Sequence, residues 1–188
     1  MNDARIWFTS DLHLNHDREF ICSPRGFKSV YEMNDYIINM WNSTVDAEDH
    51  IYVLGDLMLG DSEAGIKLIK QLKGNIHVVR GNHDSDERMK LYNECYNIVE
   101  VTEGQFLHYG KFHFYLSHYP CLTANYDDGK LLKAKTISIC GHRHTQDRFC
   151  DMPIGLCYHV ELDAHDNHLV PADFIIEDIA NFIEQKKG

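Results

Sequence analysis

Three short apolar runs, Arg5-Ile-Trp-Phe-Thr9, His50-Ile-Tyr-Val-Leu54 and Ile76-His-Val-Val79, set the frame of the N-terminal half. Each stops at a polar or glycine exit: Ser10-Asp11, Gly55-Asp56 and Arg80-Gly81. Between them lie two segments with helical spacing. Residues 31–42 place Met33, Tyr36, Ile37, Met40 and Trp41 on one face, and residues 61–73 place Ile66, Leu68, Ile69 and Leu72 inward. Asp61 or Ser62 can cap the second helix, and Gly74 ends it. Runs of this length alternating with helices read as β-α-β-α-β, an α/β sheet with crossover helices.

The second half changes character. Ile98–Val101, Gln105–His108, Phe112–Ser117, Thr136–Cys140 and Cys157–Leu162 read as strands with few helices between them, and a last helix spans about 172–185. The expectation is a second, more antiparallel sheet packed on the first, with helices on the outer faces. No linker, repeat or low-complexity stretch divides the chain, so residues 1–188 read as one domain. A chain of that size buries roughly 70% of its unfolded surface, enough to hold together without disulfides.

A formal charge of −11 excludes a broad basic surface for nucleic acid, so positive charge for a phosphate has to be local. No apolar run reaches the ~20 residues of a membrane span, and the opening MNDARIWFTSDLH lacks the pattern of a signal peptide. Cysteines 22, 95, 121, 140, 150 and 157 show no CxxC spacing. They read as reduced thiols of a cytoplasmic protein and argue against a thiolate zinc site.

Every strand exit carries polar chemistry. The exits give Asp11 and His13, then Asp56, then Asn82, His83 and Asp84, then His118, then His142 and His144. In open α/β sheets ligands bind beyond the carboxyl ends of the strands. Asp11, His13, Asp56, Asn82, His118, His142 and His144 form a set of oxygen and nitrogen ligands without sulfur. That is too many for one four-coordinate zinc and suits two divalent ions about 3.5–4 Å apart sharing a carboxylate. Manganese, iron, zinc, cobalt and nickel all suit the donor types. With only Asp11 and Asp56 anionic, the centre stays net positive and matches a phosphate ester.

These blocks resemble the calcineurin-like metallophosphoesterase superfamily, whose pattern is DxH, GD, GNH[DE], H and GHxH. Here they are Asp11-Leu-His13, Gly55-Asp56, Gly81-Asn-His-Asp84, His118 and Gly141-His-Arg-His144, in order. SDLHLNH, FKSVYEM and Met40-Trp41-Asn42 are similar to a small bacterial and phage-type branch, and the resemblance spans Arg5 to about Glu184. It implies an α/β/β/α sandwich of two mixed sheets. It implies one ion on Asp11, His13 and His144, another on Asn82, His118 and His142, and Asp56 bridging them. It makes His83 the catalytic imidazole. Leu59 stands where relatives that are protein phosphatases carry an Asp to orient that histidine, which favours a phosphodiesterase and leaves Asp84 or Asp61 as substitutes.

Asn15 and His16, on the loop of His13, are candidate substrate contacts. Arg25, Arg80 and Arg143 read as ion-pair residues, and His159 as an ordinary residue near the rim. The expected substrate is small or presented end-on, such as a nucleotide or a nucleic-acid terminus. Alternatives on the same site are a phosphomonoesterase or a nucleotide pyrophosphatase. A metal-binding scaffold is the non-enzyme alternative. An HD-type phosphohydrolase and a TIM-barrel amidohydrolase fit poorly, the first because it is all-helical and the second because it needs ~250 residues.

Overall fold

The computed structural model describes residues 4–123, 136–150 and 156–187. Strands β1 (Ile6–Thr9), β2 (His50–Leu54), β3 (Asn75–Val79) and β4 (Ile98–Thr102) form a parallel sheet in the order β4-β3-β2-β1. The crossovers are helices α2 (Val30–Thr44), α3 (Ser62–Ile69) and α4 (Asp86–Asn93), and a one-turn helix α1 (Glu19–Cys22) precedes α2. The second sheet joins β5 (Gln105–Tyr109), β6 (Phe112–Leu116), β7 (Thr136–Cys140) and β8 (Cys157–His159) in chain order. Strand β9 (Val170–Pro171) runs antiparallel to β1 at the edge of the first sheet, and helix α5 (Ala172–Lys187) follows. Two mixed sheets flanked by helices are thus the architecture.

Side-chain alternation along the strands explains the layers. Trp7, Ile51, Val53, Ile76 and Val78 face one way and pack on Met33, Ile37 and Trp41 of α2 and Ile69 of α3. Phe8, Tyr52, Leu54 and Val79 face the other way, against Phe114, Leu116, Ile137, Ile139 and Tyr158 of the second sheet. Helix α5 inserts Ile175 and Ile179 into this second cluster.

Several expectations are corrected. Only the β5–β6 hairpin is antiparallel in the second sheet, because β6, β7 and β8 run parallel. That direction puts the exits of β6 and β7 on one rim. The apolar run expected as a strand to Leu162 stops at His159, and a 3₁₀ turn spans Leu162–His165. Helix α3 ends at Ile69, not at residue 73. Helix α4 escapes the periodicity reading because Tyr92 is its one buried residue. Its start is set by Ser85, which accepts a hydrogen bond from Arg88 N.

Asp49 ties the start of β1 to the turn before β2. Its carboxylate accepts from Arg5 N at 2.8 Å, Arg5 Nη2 at 2.9 Å, Trp7 Nε1 at 3.0 Å and Asp46 N at 3.1 Å. Burial alone would raise this carboxyl, but the hydrogen bonds outweigh it and hold the pKa at about 2. The folded-state value lies below the unfolded one, so this stabilisation is complete above pH ~4 and is lost as pH falls through about 2. Asp49→Asn is expected to cost roughly 2 kcal/mol at pH 7, with the difference shrinking below pH 4, as read by urea denaturation at both ends of that range.

Candidate metal centre

The exits of β1, β2, β3, β6 and β7 meet at one rim. The first two loops continue the parallel ladder beyond the strands, with Asp11 N donating to Gly55 O at 3.0 Å and His13 N to Asp56 O at 3.0 Å. Gly141 N donates to His118 O at 3.1 Å, which joins the exits of β6 and β7. Asp11, His13, Asp56, His142 and His144 all take positive φ, at 55°, 49°, 54°, 77° and 48°. Non-glycine residues seldom adopt this region, and strain of this kind gathers at functional sites. His142 and His144 therefore leave the extended path, and each serves a different half of the site.

On one side, Asp11 Oδ1 lies 3.8 Å from His13 Nε2 and 3.6 Å from His144 Nε2, and the two imidazole nitrogens are 3.2 Å apart. On the other side, His118 Nε2 is 2.9 Å from Asn82 Oδ1 and 3.1 Å from His142 Nδ1. Asp56 Oδ2 stands between the halves, 3.8 Å from His13 Nε2 and 3.7 Å from His118 Nε2. The seven side chains expected as ligands therefore meet at one place.

The donor chemistry suits cations. Asp11 Oδ2 is taken by Ser10 Oγ at 2.6 Å and His142 N at 2.8 Å, whereas Oδ1 is buried with no hydrogen-bond partner. A buried carboxylate oxygen left bare is costly unless a cation meets it. Burial raises the Asp11 carboxyl to about 6 against the opposing pull of His118 and His144. Burial, then His144 and Arg25, push His13 down to about 2, so its ring is neutral and its lone pair available. His118 Nδ1 lies 2.8 Å from Leu54 O, which accepts its proton and leaves Nε2 for the site.

Glycine is required where backbone meets these carboxylates. A Cβ on Gly141 would overlap Ser10 Oγ and Asp11 Oδ2, and one on Gly81 would overlap Asp56 Oδ1.

One supporting residue, Asp163, was missed by sequence reasoning, and Arg25 forms the kind of ion pair expected of it. Asp163, on the 3₁₀ turn, accepts from His144 Nδ1 at 2.9 Å and pairs in a fork with Arg25, at 2.6 Å from Nη2 and 3.1 Å from Nε. Arg25 also donates to Asp11 O at 2.8 Å. Burial would raise Asp163, but hydrogen bonds from His144 and Arg25 outweigh it and hold the carboxyl well below its usual range. Nothing in the spacing links Asp163 to His144; folding alone brings them together. A histidine ligand oriented by a carboxylate binds metal more tightly, so Asp163→Asn is expected to weaken Mn²⁺ affinity about 10–100-fold in calorimetric titration.

A cleft of about 410 Å³ opens above the rim. His13, His16, Phe20, Asp56, Asn82, His83, His142, His144 and Asp163 line it, with Ile21 and Pro24. His83 is 42% exposed, with Nε2 3.9 Å from Asp56 Oδ2. Asp84 does not orient the His83 ring: it accepts from Asp56 N, Gly81 N and Tyr92 Oη and so ties the two loops together. Asp61 caps α3. Among the described residues no carboxylate is hydrogen-bonded to the His83 imidazole. His16 reaches the cleft but also sits 3.2 Å from His13 Nδ1. Asn15 does not line the cleft; its amide donates to Asp61 O at 3.1 Å. Arg80 pairs with Asp86 and Glu103, and Arg143 is exposed.

The profile of the calcineurin-like phosphoesterase superfamily domain matches residues 5–154. The chain belongs to this family. Membership makes it a metal-dependent phosphoesterase, and the ligand groups Asp11/His13/His144 and Asp11/Asp56/His118 are where its metal can sit. An uncharacterized protein of Methanocaldococcus jannaschii is 34% identical over 131 residues, which is 68% of this chain and 66% of that protein. The Gene 66 protein of Mycobacterium phage D29 is 28% identical over 97% of this chain and 98% of its own length. A protein of unknown function from Aquifex aeolicus shares the fold, with a TM-score of 0.69 at 23% identity over 93% of this chain and 99% of that one. Among the described residues no helix is long and apolar enough to cross a membrane.

Proposed function

We propose that this phosphoesterase uses two divalent cations, manganese foremost, and hydrolyses a phosphodiester of a nucleotide or a nucleic-acid end. The observation that carries the reading is the position of Asp56 Oδ2, nearly equidistant from His13 and His118, with a complete ligand group on each side. Cations held there would neutralise the ester's oxygens and lower the pKa of a water. Asp11, His13 and His144 would hold one, Asn82, His118 and His142 the other, and Asp56 both.

The remaining chemistry falls to the chain. His83, at the open side of the cleft, would supply a proton to the departing oxygen. His16 and Phe20, with rings 5.7 Å apart, bound the cleft near His83. No lysine or arginine lines the cleft among the described residues, and Arg25 is committed to Asp163 and backbone carbonyls. A monoester dianion needs further positive charge beyond the cations, whereas a diester monoanion needs less, and this supports the diester. Turnover of bis-p-nitrophenyl phosphate and p-nitrophenyl phosphate by the Mn²⁺-loaded protein tests the reading. The diester is expected to be cleaved faster. A faster monoester overturns the preference, and failure with both overturns the proposed activity.

A further inference from the structure

A second set of ligand-bearing side chains lies on the outward face of the second sheet, away from the cleft chemistry. Cys140 is the last residue of β7, and its register partner on β8 is His159. Cys157 lies two residues before His159 on β8, so both side chains emerge on the face that Cys140 shares. The chain after the GHRH loop returns antiparallel to β8. Phe149 bridges Tyr158, Cys150 N donates to Cys157 O at 3.0 Å, and His159 N donates to Arg148 O at 2.8 Å. That pairing brings Cys150 opposite Cys157. Backbone geometry alone therefore assembles three thiols and an imidazole.

The side chains converge. The sulfur atoms of Cys140, Cys150 and Cys157 all lie within 4.8 Å of one another. Cys140 Sγ is 3.2 Å from Cys157 Sγ, and Cys150 Sγ is 2.8 Å from His159 Nε2. Cys140, Cys157 and His159 are buried. His159 Nδ1 lies 3.1 Å from Glu161 Oε2, and Glu161 is fully buried. A proton on Nδ1, which also lies 3.7 Å from Cys140 Sγ, shared with that carboxylate leaves Nε2, beside Cys150 Sγ, as the free donor. This carboxylate–imidazole pairing is the support that metal-binding histidines receive.

We propose that Cys140, Cys150, Cys157 and His159 form a structural zinc site, separate from the centre on Asp11 and Asp56. Three thiolates and one imidazole complete a closed four-coordinate shell, the composition of structural zinc. A disulfide would use two of the four groups and leave the third sulfur and His159 without a role; a zinc ion uses all of them. Binding transfers the thiol protons to solvent as the thiolates form. Cys140 directly precedes Gly141, and Cys150 ends the same loop. The ion therefore clamps both ends of the segment that carries His142 and His144. Cysteine spacing alone argued against a thiolate site, but a site of this kind needs no short spacing when its ligands meet across strands.

The test is absorption spectroscopy of the intact protein titrated with Co²⁺ under reducing conditions, with metal counted per chain. The cleft centre contains no sulfur, so a sulfur-to-cobalt charge-transfer band reports the second site alone. The wild-type protein is expected to show that band and to lose it when one equivalent of Zn²⁺ is added. Cys150→Ser is expected to lose most of the band and one bound ion. Cys95→Ser, remote from the cluster, and Asp56→Asn, in the cleft, are expected to keep it. Retention in Asp56→Asn separates this inference from the proposed activity. Absence of the band in the wild type overturns the proposal, whatever the variants do. So does a Cys140–Cys157 disulfide that re-forms on removing reductant in the presence of zinc.

Discussion

Asp56→Asn is expected to abolish the proposed phosphodiester hydrolysis in protein loaded with manganese and to lower the number of ions retained in the cleft. The substitution keeps the side chain's shape. Its oxygen can still accept the hydrogen bond that His83 N donates to Asp56 Oδ1 at 2.8 Å. What it removes is the charge that faces both ligand groups, leaving Asp11 as the single anion among the proposed ligands. Two divalent cations held there would repel each other with less negative charge between them, and the weaker would be released. Turnover of bis-p-nitrophenyl phosphate, metal content after gel filtration and a circular dichroism spectrum check this together. An active variant with full metal content would show that Asp56 is not shared.

The second large effect belongs to His83. Its main chain is fixed from both sides, by Asp56 Oδ1 and by Arg88 Nη1, which donates to His83 O at 2.6 Å. Its ring is left half-exposed at the cleft. A residue held this way contributes through its side chain, so His83→Ala is expected to slow hydrolysis by ~10²–10⁴ while manganese affinity stays unchanged. The loss is expected to be larger for an alkyl leaving group than for p-nitrophenolate, since a poor leaving group depends more on a proton donor. Equal loss with both leaving groups would assign His83 to substrate binding in place of proton transfer.

Much of the site was legible because the fold delivers ligands at strand exits, and strand exits leave a local mark in sequence. Asp11, Asp56, Asn82, His118, His142 and His144 each follow an apolar run that ends abruptly. The reason the two histidines of GHRH diverge was not legible. Alternation along an extended segment predicts that they face one point, yet the backbone there is left-handed, and His142 joins His118 while His144 joins His13. Support contacts were also hidden. Asp163 and Arg25 are far apart in the chain and meet only once the 3₁₀ turn packs under the first loop. The cysteine cluster was missed for the same reason, since β7, β8 and the returning loop place residues 140, 150 and 157 side by side without any short spacing. Among elements, α4 lacked an apolar stripe, and β9 is two residues long with Pro171 at a sheet edge, too little pattern to read.

Anomalous diffraction at the manganese edge, from crystals soaked in Mn²⁺, tests the account at its centre. Two peaks are predicted in the cleft, one among Asp11, His13 and His144 and one among Asn82, His118 and His142. Asp56 Oδ2 should lie within bonding distance of both. A single peak, or two peaks with Asp56 bound to neither or only one, would contradict it.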